Sequence, residues 1–159
     1  MHATSKHATS KHVMPKHVML KHVMLVGSAA CGKTTLAQCL NNEAIEYKKT
    51  QAVEILHTTI DTPGEYLENH AYYKALIVTA VEADLILLVQ DATDERFRFS
   101  PGQAAMFGPP AIGVVSKADA ASPAQIEAAK ELLALAGAAE IFVTSAVTGE
   151  GCDALRERL

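Results

Sequence analysis

Residues Gly27-Ser28-Ala29-Ala30-Cys31-Gly32-Lys33-Thr34 match the pattern G-x-x-x-x-G-K-S/T in full, and no other feature of the chain restricts its fold as sharply. The flanks give the pattern its meaning. The apolar run His22–Val26 leads into it as a buried-strand candidate, and a helical segment from Lys33 to about Leu40 leads out. Gly27 and Gly32 let the backbone curl so that the N–H groups of Ser28, Ala29, Ala30 and Cys31 converge on phosphate oxygens. The helix that begins near Lys33 adds the positive end of its dipole. Lys33 is then placed to contact the β and γ phosphates and Thr34 to ligate Mg²⁺, with Thr35 beside them in the same binding run.

A loop of this kind needs a parallel sheet behind it, and the chain supplies the rhythm of one. Val53–Ile60 predicts a second strand, Leu67–Glu82 a helix, Leu85–Val89 a strand and Ala111–Val115 another. Ser122 caps a helix with Pro123 in its first turn and Gln125 three residues beyond the cap; this helix runs to Ala136 and stops at Gly137. Ile141–Thr144 predicts the last strand and Cys152–Leu159 the last helix. Residues 92–110 hold Pro101, Gly102, Gly108, Pro109 and Pro110, which predicts mostly loop with one short helix. Alternating strands and helices predict an α/β fold, a mostly parallel central sheet with helices on both faces. With 159 residues, 49% of them apolar, the chain can bury one core and is too short for two ordinary domains.

Three further motifs fall at the carboxyl ends of predicted strands, where ligands of such sheets bind. Asp61-Thr62-Pro63-Gly64 follows Val53–Ile60. A carboxylate at Asp61 can hold the water shell of a magnesium ion, and Gly64 leaves its N–H free to approach a γ-phosphate. Ser116-Lys117-Ala118-Asp119 follows Ala111–Val115. Asp119 can accept hydrogen bonds from the N1–H and 2-amino group of guanine, a pair of donors that adenine lacks, and the Lys117 stem can pack over the ring. Thr144-Ser145-Ala146 follows the last strand, where a backbone N–H can meet the guanine oxygen.

Charge and cysteine content narrow the classes of partner. All 18 acids lie from Glu43 onward against nine Lys and Arg, so the folded part is acidic and nucleic acid is not expected as its partner. No uncharged apolar stretch of roughly 18 residues occurs, so no membrane span is expected. Cys31, Cys39 and Cys152 are odd in number and lack metal-ligand spacing, which fits a reduced, cytoplasmic protein. Cys31 is read as a small residue filling space, in preference to a redox-sensitive thiol at the helix start. After Met1, residues 2–21 repeat every five residues as HATSK, HATSK, HVMPK and HVMLK, and HVMLV then leads into the first motif. A five-residue step turns a helix by roughly 500°, so the histidines spiral around it and line no face. We read 1–21 as a disordered low-complexity extension and 22–159 as the domain.

The four motifs in this order resemble the small-GTPase class of P-loop proteins, a three-layer, small G-protein-like NTPase fold. Ser145–Leu155 is similar to the last motif of bacterial translation-factor-like GTPases. Closer is the EutP/PduV family of ethanolamine and propanediol utilization proteins, which Lys49–Glu54, Ile60–Tyr66 and Val115–Asp119 resemble, across about residues 22–159. The resemblance implies a GTP/GDP-binding protein with Mg²⁺, encoded with bacterial microcompartment enzymes and located at the microcompartment surface, its partners shell or pathway proteins. It also implies Thr50 as the switch threonine that reaches Mg²⁺. A GTP-dependent switch is expected to act on a partner through Lys49–Val53 and Gly64–Tyr73, loops that change order when the γ-phosphate leaves.

Two departures from the usual small-GTPase pattern carry chemistry. Ser116 replaces the usual Asn or Thr and shortens the reach toward the base. Glu65 follows Gly64 where many signalling GTPases place a water-orienting Gln; a carboxylate there repels the γ-phosphate, so slow hydrolysis is expected. The same cradle also permits an ATP-dependent phosphotransferase acting on a small carboxylate such as acetate, with Arg96 and Arg98 the only nearby basic pair. A nucleotide-bound interaction module that does not turn over is the third alternative.

Overall fold

The computed structural model describes residues 22–41, 54–56, 59–96 and 98–159. The expectations for residues 1–21, Thr50 and the Lys49–Val53 loop lie outside them. The described strands form one six-stranded sheet in the order β2-β3-β1-β4-β5-β6. These are β1 Val23–Val26, β2 Glu54–Leu56, β3 Thr59–Asp61, β4 Leu85–Asp91, β5 Ala111–Ser116 and β6 Ile141–Val143. Neighbours from β3 to β6 run parallel, and β2 pairs antiparallel with β3 at the edge.

Central strands of a parallel sheet are covered on both faces, so they read as unbroken apolar runs. Every residue of β1, β4 and β5 is buried. Met24, Val26, Ile86 and Leu88 point to one face, where they meet Leu76 of helix α3 (Tyr73–Ala80) and Leu133 of helix α4 (Pro123–Ala136). Val23, Leu25, Leu87 and Val114 point to the other, against Leu36 of helix α1 (Lys33–Leu40) and Leu155 of helix α5 (Cys152–Arg158). Each such leucine contributes about 2 kcal/mol by burial. The result is the expected three-layer arrangement.

Helix α4 follows its sequence signals closely. The Ser122 hydroxyl accepts from the Gln125 N–H at 3.1 Å, Gln125 Oε1 accepts from the Ser122 N–H at 2.9 Å, and Gly137 closes the helix at φ 104°. The expected short helix in the 92–110 loop is a 3-10 turn at Gln103–Met106.

Two expectations are corrected. The single strand Val53–Ile60 is instead two antiparallel strands, β2 and β3. His57 and Thr58 between them lack the Gly, Asn or Asp that marks a tight hairpin in sequence. The single helix Leu67–Glu82 is broken into helix α2 (Glu65–Glu68), a 3-10 turn (His70–Tyr72) and α3. Asn69 makes the break: its backbone is extended and its side chain accepts from the Ala71 N–H at 3.0 Å. A side chain that offers the backbone a local acceptor competes with the helix.

Candidate functional site

The parallel strands all end on one edge of the sheet, so the segments that follow β1, β3, β5 and β6 are neighbours. Between β1 and α1 the chain turns through Ala30, at φ 59°, and Gly32, at φ 96°. The second value lies in the left-handed region that glycine takes without cost. Within this turn Lys33 folds back under the loop. Its Nζ donates to the carbonyls of Gly27 and Ser28, each at 2.9 Å, and stands 3.7 Å from Cys31 Sγ. Lys33 is only 6% exposed. Among the described residues this buried ammonium is held by neutral carbonyls and has no counter-charge, which favours an anion at the loop.

Asp61 ends β3 opposite Leu25 of β1. The next residue fixes the junction, since the Thr62 hydroxyl donates to the Leu25 carbonyl at 2.7 Å. Gly64 then comes so close to the phosphate-loop turn that an added Cβ would collide with the Ala29 backbone. Glycine is required there by the close approach alone. Glu65 begins α2 directly afterwards.

The last residue of α2 returns to the loop. Glu68 Oε1 accepts from the Ala29 N–H at 3.2 Å and from Arg98 Nη1 at 3.4 Å. Arg98 Nε also donates to Asp94 Oδ2 at 2.7 Å, and Arg96 Nε to Asp94 Oδ1 at 3.0 Å. Burial works to raise the Asp94 carboxyl, but the hydrogen bonds from Arg96 and Arg98 outweigh it and bring its pKa from 3.8 down to about 2.

The opposite end of the site is built by the segments after β5 and β6. The Ser116 hydroxyl donates to the Cys31 carbonyl at 2.5 Å, so this serine braces the phosphate loop. Lys117 sits at φ 58°, and its Nζ reaches the Ala30 carbonyl at 2.6 Å and Asp91 Oδ2 at 3.0 Å. Asp91 is itself anchored, its Oδ1 accepting from the N–H and hydroxyl of Thr93 at 2.8 and 2.6 Å. Asp119 Oδ1 accepts from the buried Ser145 hydroxyl at 2.7 Å. Its Oδ2 makes no hydrogen bond among the described residues.

Together these groups line a cavity of about 580 Å³, with Ala29, Lys33, Thr34 and Thr35 at one end, Lys117, Asp119 and Ala146 at the other, and Gly64 and Glu68 on the side. That lies within the usual size of ligand pockets, roughly 300–1,000 Å³. Among the described residues no group of three His, Cys, Asp or Glu is placed to hold a metal by itself.

The structure brings the phosphate-loop, Asp61, Ser116–Asp119 and Ser145–Ala146 segments to one place. Sequence reasoning missed Thr62, Glu68 and Asp91. Only Asp91 left a readable trace, an acid at the end of an apolar run that the sheet register sets opposite Ser116.

Comparison with known proteins gives a consistent picture. The family described as "Ethanolamine utilisation - propanediol utilisation" (PduV-EutP) matches residues 20–159. The propanediol utilization protein PduV of Citrobacter freundii is 49% identical over 128 residues, covering 80% of this chain and 85% of that protein. A Salmonella typhimurium protein named probable acetate kinase EutP is 42% identical over 78 residues, 48% of this chain and 49% of that protein; the match thus spans about half its length. Among solved structures, Aquifex aeolicus Era bound to GDP.AlF4⁻ superposes with a TM-score of 0.64 at 22% identity, covering 87% of this chain and 55% of that one. At that identity the likeness shows a shared fold, that of P-loop GTPases.

Proposed function

The chain belongs to the PduV-EutP family, and on that premise we propose that it binds GDP and GTP with Mg²⁺, hydrolyses GTP slowly, and serves ethanolamine or propanediol utilisation. One observation carries the choice of guanine: Asp119 lines the cavity with one oxygen held by Ser145. A carboxylate oriented in this way can take the N1–H and 2-amino donors of guanine, and finds no such pair on adenine. Ser145 sets the direction of the carboxylate, while Ala146 stands beside it with a backbone N–H for the guanine oxygen. At the other end, the buried ammonium of Lys33 and the amides of residues 28–35 hold the phosphates.

A nucleotide-bound Mg²⁺ fits the donor set, because Thr34 lines the cavity beside Lys33 and β3 ends at Asp61. Thr34 and Asp61 would hold it, with Thr50 as a third ligand by resemblance. When bound, the ion neutralises charge on the phosphate oxygens. Gly64 brings its N–H to the γ-phosphate side of the loop. Glu65 follows Gly64 directly in sequence, where many signalling GTPases place a water-orienting Gln, and this departure supports slow turnover. Family membership supports a cytoplasmic location at the microcompartment surface, with shell or pathway proteins as partners. Among the described residues no helix is long and apolar enough to cross a membrane.

The test is calorimetric titration with GDP and with ADP, each with Mg²⁺, on the unmodified protein and on Asp119→Ala. Tight GDP binding, ADP weaker by about a hundredfold or more, and loss of that preference in the variant are expected. Equal affinities would overturn guanine selectivity.

The name of the Salmonella relative favours a second reading, phosphoryl transfer from ATP to acetate. Such a reaction needs a cation for the acceptor carboxylate beside the γ-phosphate. Arg98, which reaches Glu68 on that side, is already shared between Asp94 and Glu68. Formation of acetyl phosphate from ATP and acetate, abolished by Lys33→Ala, would establish this reading in place of the first.

A further inference from the structure

Among the described residues the cavity wall carries two carboxylates, Asp119 and Glu68. Base recognition accounts for the first and leaves the second without a role. Glu68 ends α2, a helix of four residues that starts immediately after Gly64. Because Gly64 lies hard against the Ala29 backbone, α2 is pinned beside the phosphate loop. Its last side chain then reaches back, accepting the Ala29 N–H at 3.2 Å and an Arg98 N–H at 3.4 Å. A loop with a buried ammonium and converging amides attracts anions, and here the chain brings one of its own to the rim, on the side where Gly64 meets the loop.

Diphosphate and triphosphate differ by charge on that same side. A terminal phosphate that approaches the Gly64 amide also approaches the Glu68 carboxylate. Glu68 keeps 36% of its side chain in solvent, so water screens the repulsion, yet like charges a few ångströms apart at the cavity rim still repel more strongly than in bulk water. We propose that Glu68 is a specificity-determining residue: its carboxylate on the Ala29 amide favours diphosphate over triphosphate, and triphosphate binding drives it off the loop and frees Arg98. The inference rests on the guanine-nucleotide reading of the cavity. It adds to that reading a sensor for the third phosphate, linked through Arg98 and Asp94 to the loop that follows β4.

The test is equilibrium binding of GDP and of a non-hydrolysable GTP analogue, both with Mg²⁺, to the full chain and to Glu68→Gln and Arg98→Ala. Glutamine keeps an oxygen for the Ala29 amide and removes only the charge. The ratio of analogue affinity to GDP affinity is expected to rise about fivefold or more in Glu68→Gln. Arg98→Ala leaves the Glu68 charge without its partner, so the ratio is expected to fall. The opposite directions separate the proposal from a mere loosening of α2, which would move both variants the same way. An unchanged ratio in Glu68→Gln, or equal movement of both affinities, overturns the role of Glu68 and leaves guanine-nucleotide binding standing. Failure of the unmodified protein to bind either nucleotide overturns both.

Discussion

Replacing Asp91 with Asn is expected to weaken GDP binding although Asp91 lies outside the cavity lining. The reason is Lys117, whose Nζ is 3.0 Å from Asp91 Oδ2 while also donating to the Ala30 carbonyl. Asparagine preserves an Oδ1 for the two hydrogen bonds from Thr93 and puts an amide NH2, a donor, where Oδ2 accepted from Lys117, so the substitution keeps the anchor and removes the ion pair. At an effective dielectric constant near 20, unit charges at this separation attract by about 5 kcal/mol. Lys117 keeps 39% of its side chain in solvent, and screening together with the cost of ordering a long side chain reduces the net to about 1 kcal/mol. If Lys117 must be held in place to cover the base, that net value appears as about a fivefold loss of GDP affinity. Calorimetry on Asp91→Asn, Lys117→Met and the double variant measures it. Asp91→Asn is expected to have no further effect once Lys117 is gone, since the two act as one unit. Full additivity, or a loss smaller than about twofold in the single variant, would refute the positioning of Lys117 by Asp91.

Ser122→Ala removes the hydroxyl of the capping box on α4 and is expected to cost about 1 kcal/mol of stability, read from urea unfolding with nucleotide binding unchanged. Asp94 has a folded-state pKa lowered from 3.8 to about 2, so its contribution to stability is full above pH 3.8 and is lost as pH falls through about 2. Unmodified protein should therefore melt above Asp94→Asn at neutral pH, and the two melting temperatures should converge as the pH is lowered to about 2. Turnover of GTP by the protein alone is expected to be well below one per second, because Glu65 stands where a neutral water-orienting side chain would serve better; several turnovers per second in a phosphate-release assay would refute it.

The central strands were legible because burial on both faces leaves unbroken apolar runs, as in Leu85–Val89 and Ala111–Val115, and α4 because its cap, its first-turn proline and its terminal glycine act locally. The sheet edge was not. Val53–Ile60 reads as one strand because its apolar and polar residues carry no turn signal, whereas the antiparallel pairing of β2 with β3 is decided by partners across the sheet. Leu67–Glu82 reads as one helix because the break at Asn69 depends on one side chain capturing one backbone N–H. The true strand ends also mattered: β4 and β5 each run on to a polar residue, Asp91 and Ser116, that register sets side by side.

Motifs identify residues that would touch a ligand, and the structure adds the bonds by which such residues touch one another. Three consecutive loop residues show the difference. The Ala29 N–H is taken by Glu68 of α2, the Ala30 carbonyl by Lys117, and the Cys31 carbonyl by Ser116. Two of these side chains come from the segment that ends in Asp119, and the third from the segment that begins at Asp61. The short phosphate loop is therefore the common support of the base end and the terminal-phosphate end of the cavity. A shift of the loop that releases Glu68 also strains the Lys117 and Ser116 bonds, since close-packed groups joined by short hydrogen bonds do not deform independently. Ser116 fits this arrangement better than it fits a contact with the base. Its short hydroxyl reaches the Cys31 carbonyl directly, so a residue that looks in sequence like a weakened base-recognition position serves in the structure to fasten that end of the site to the phosphate loop.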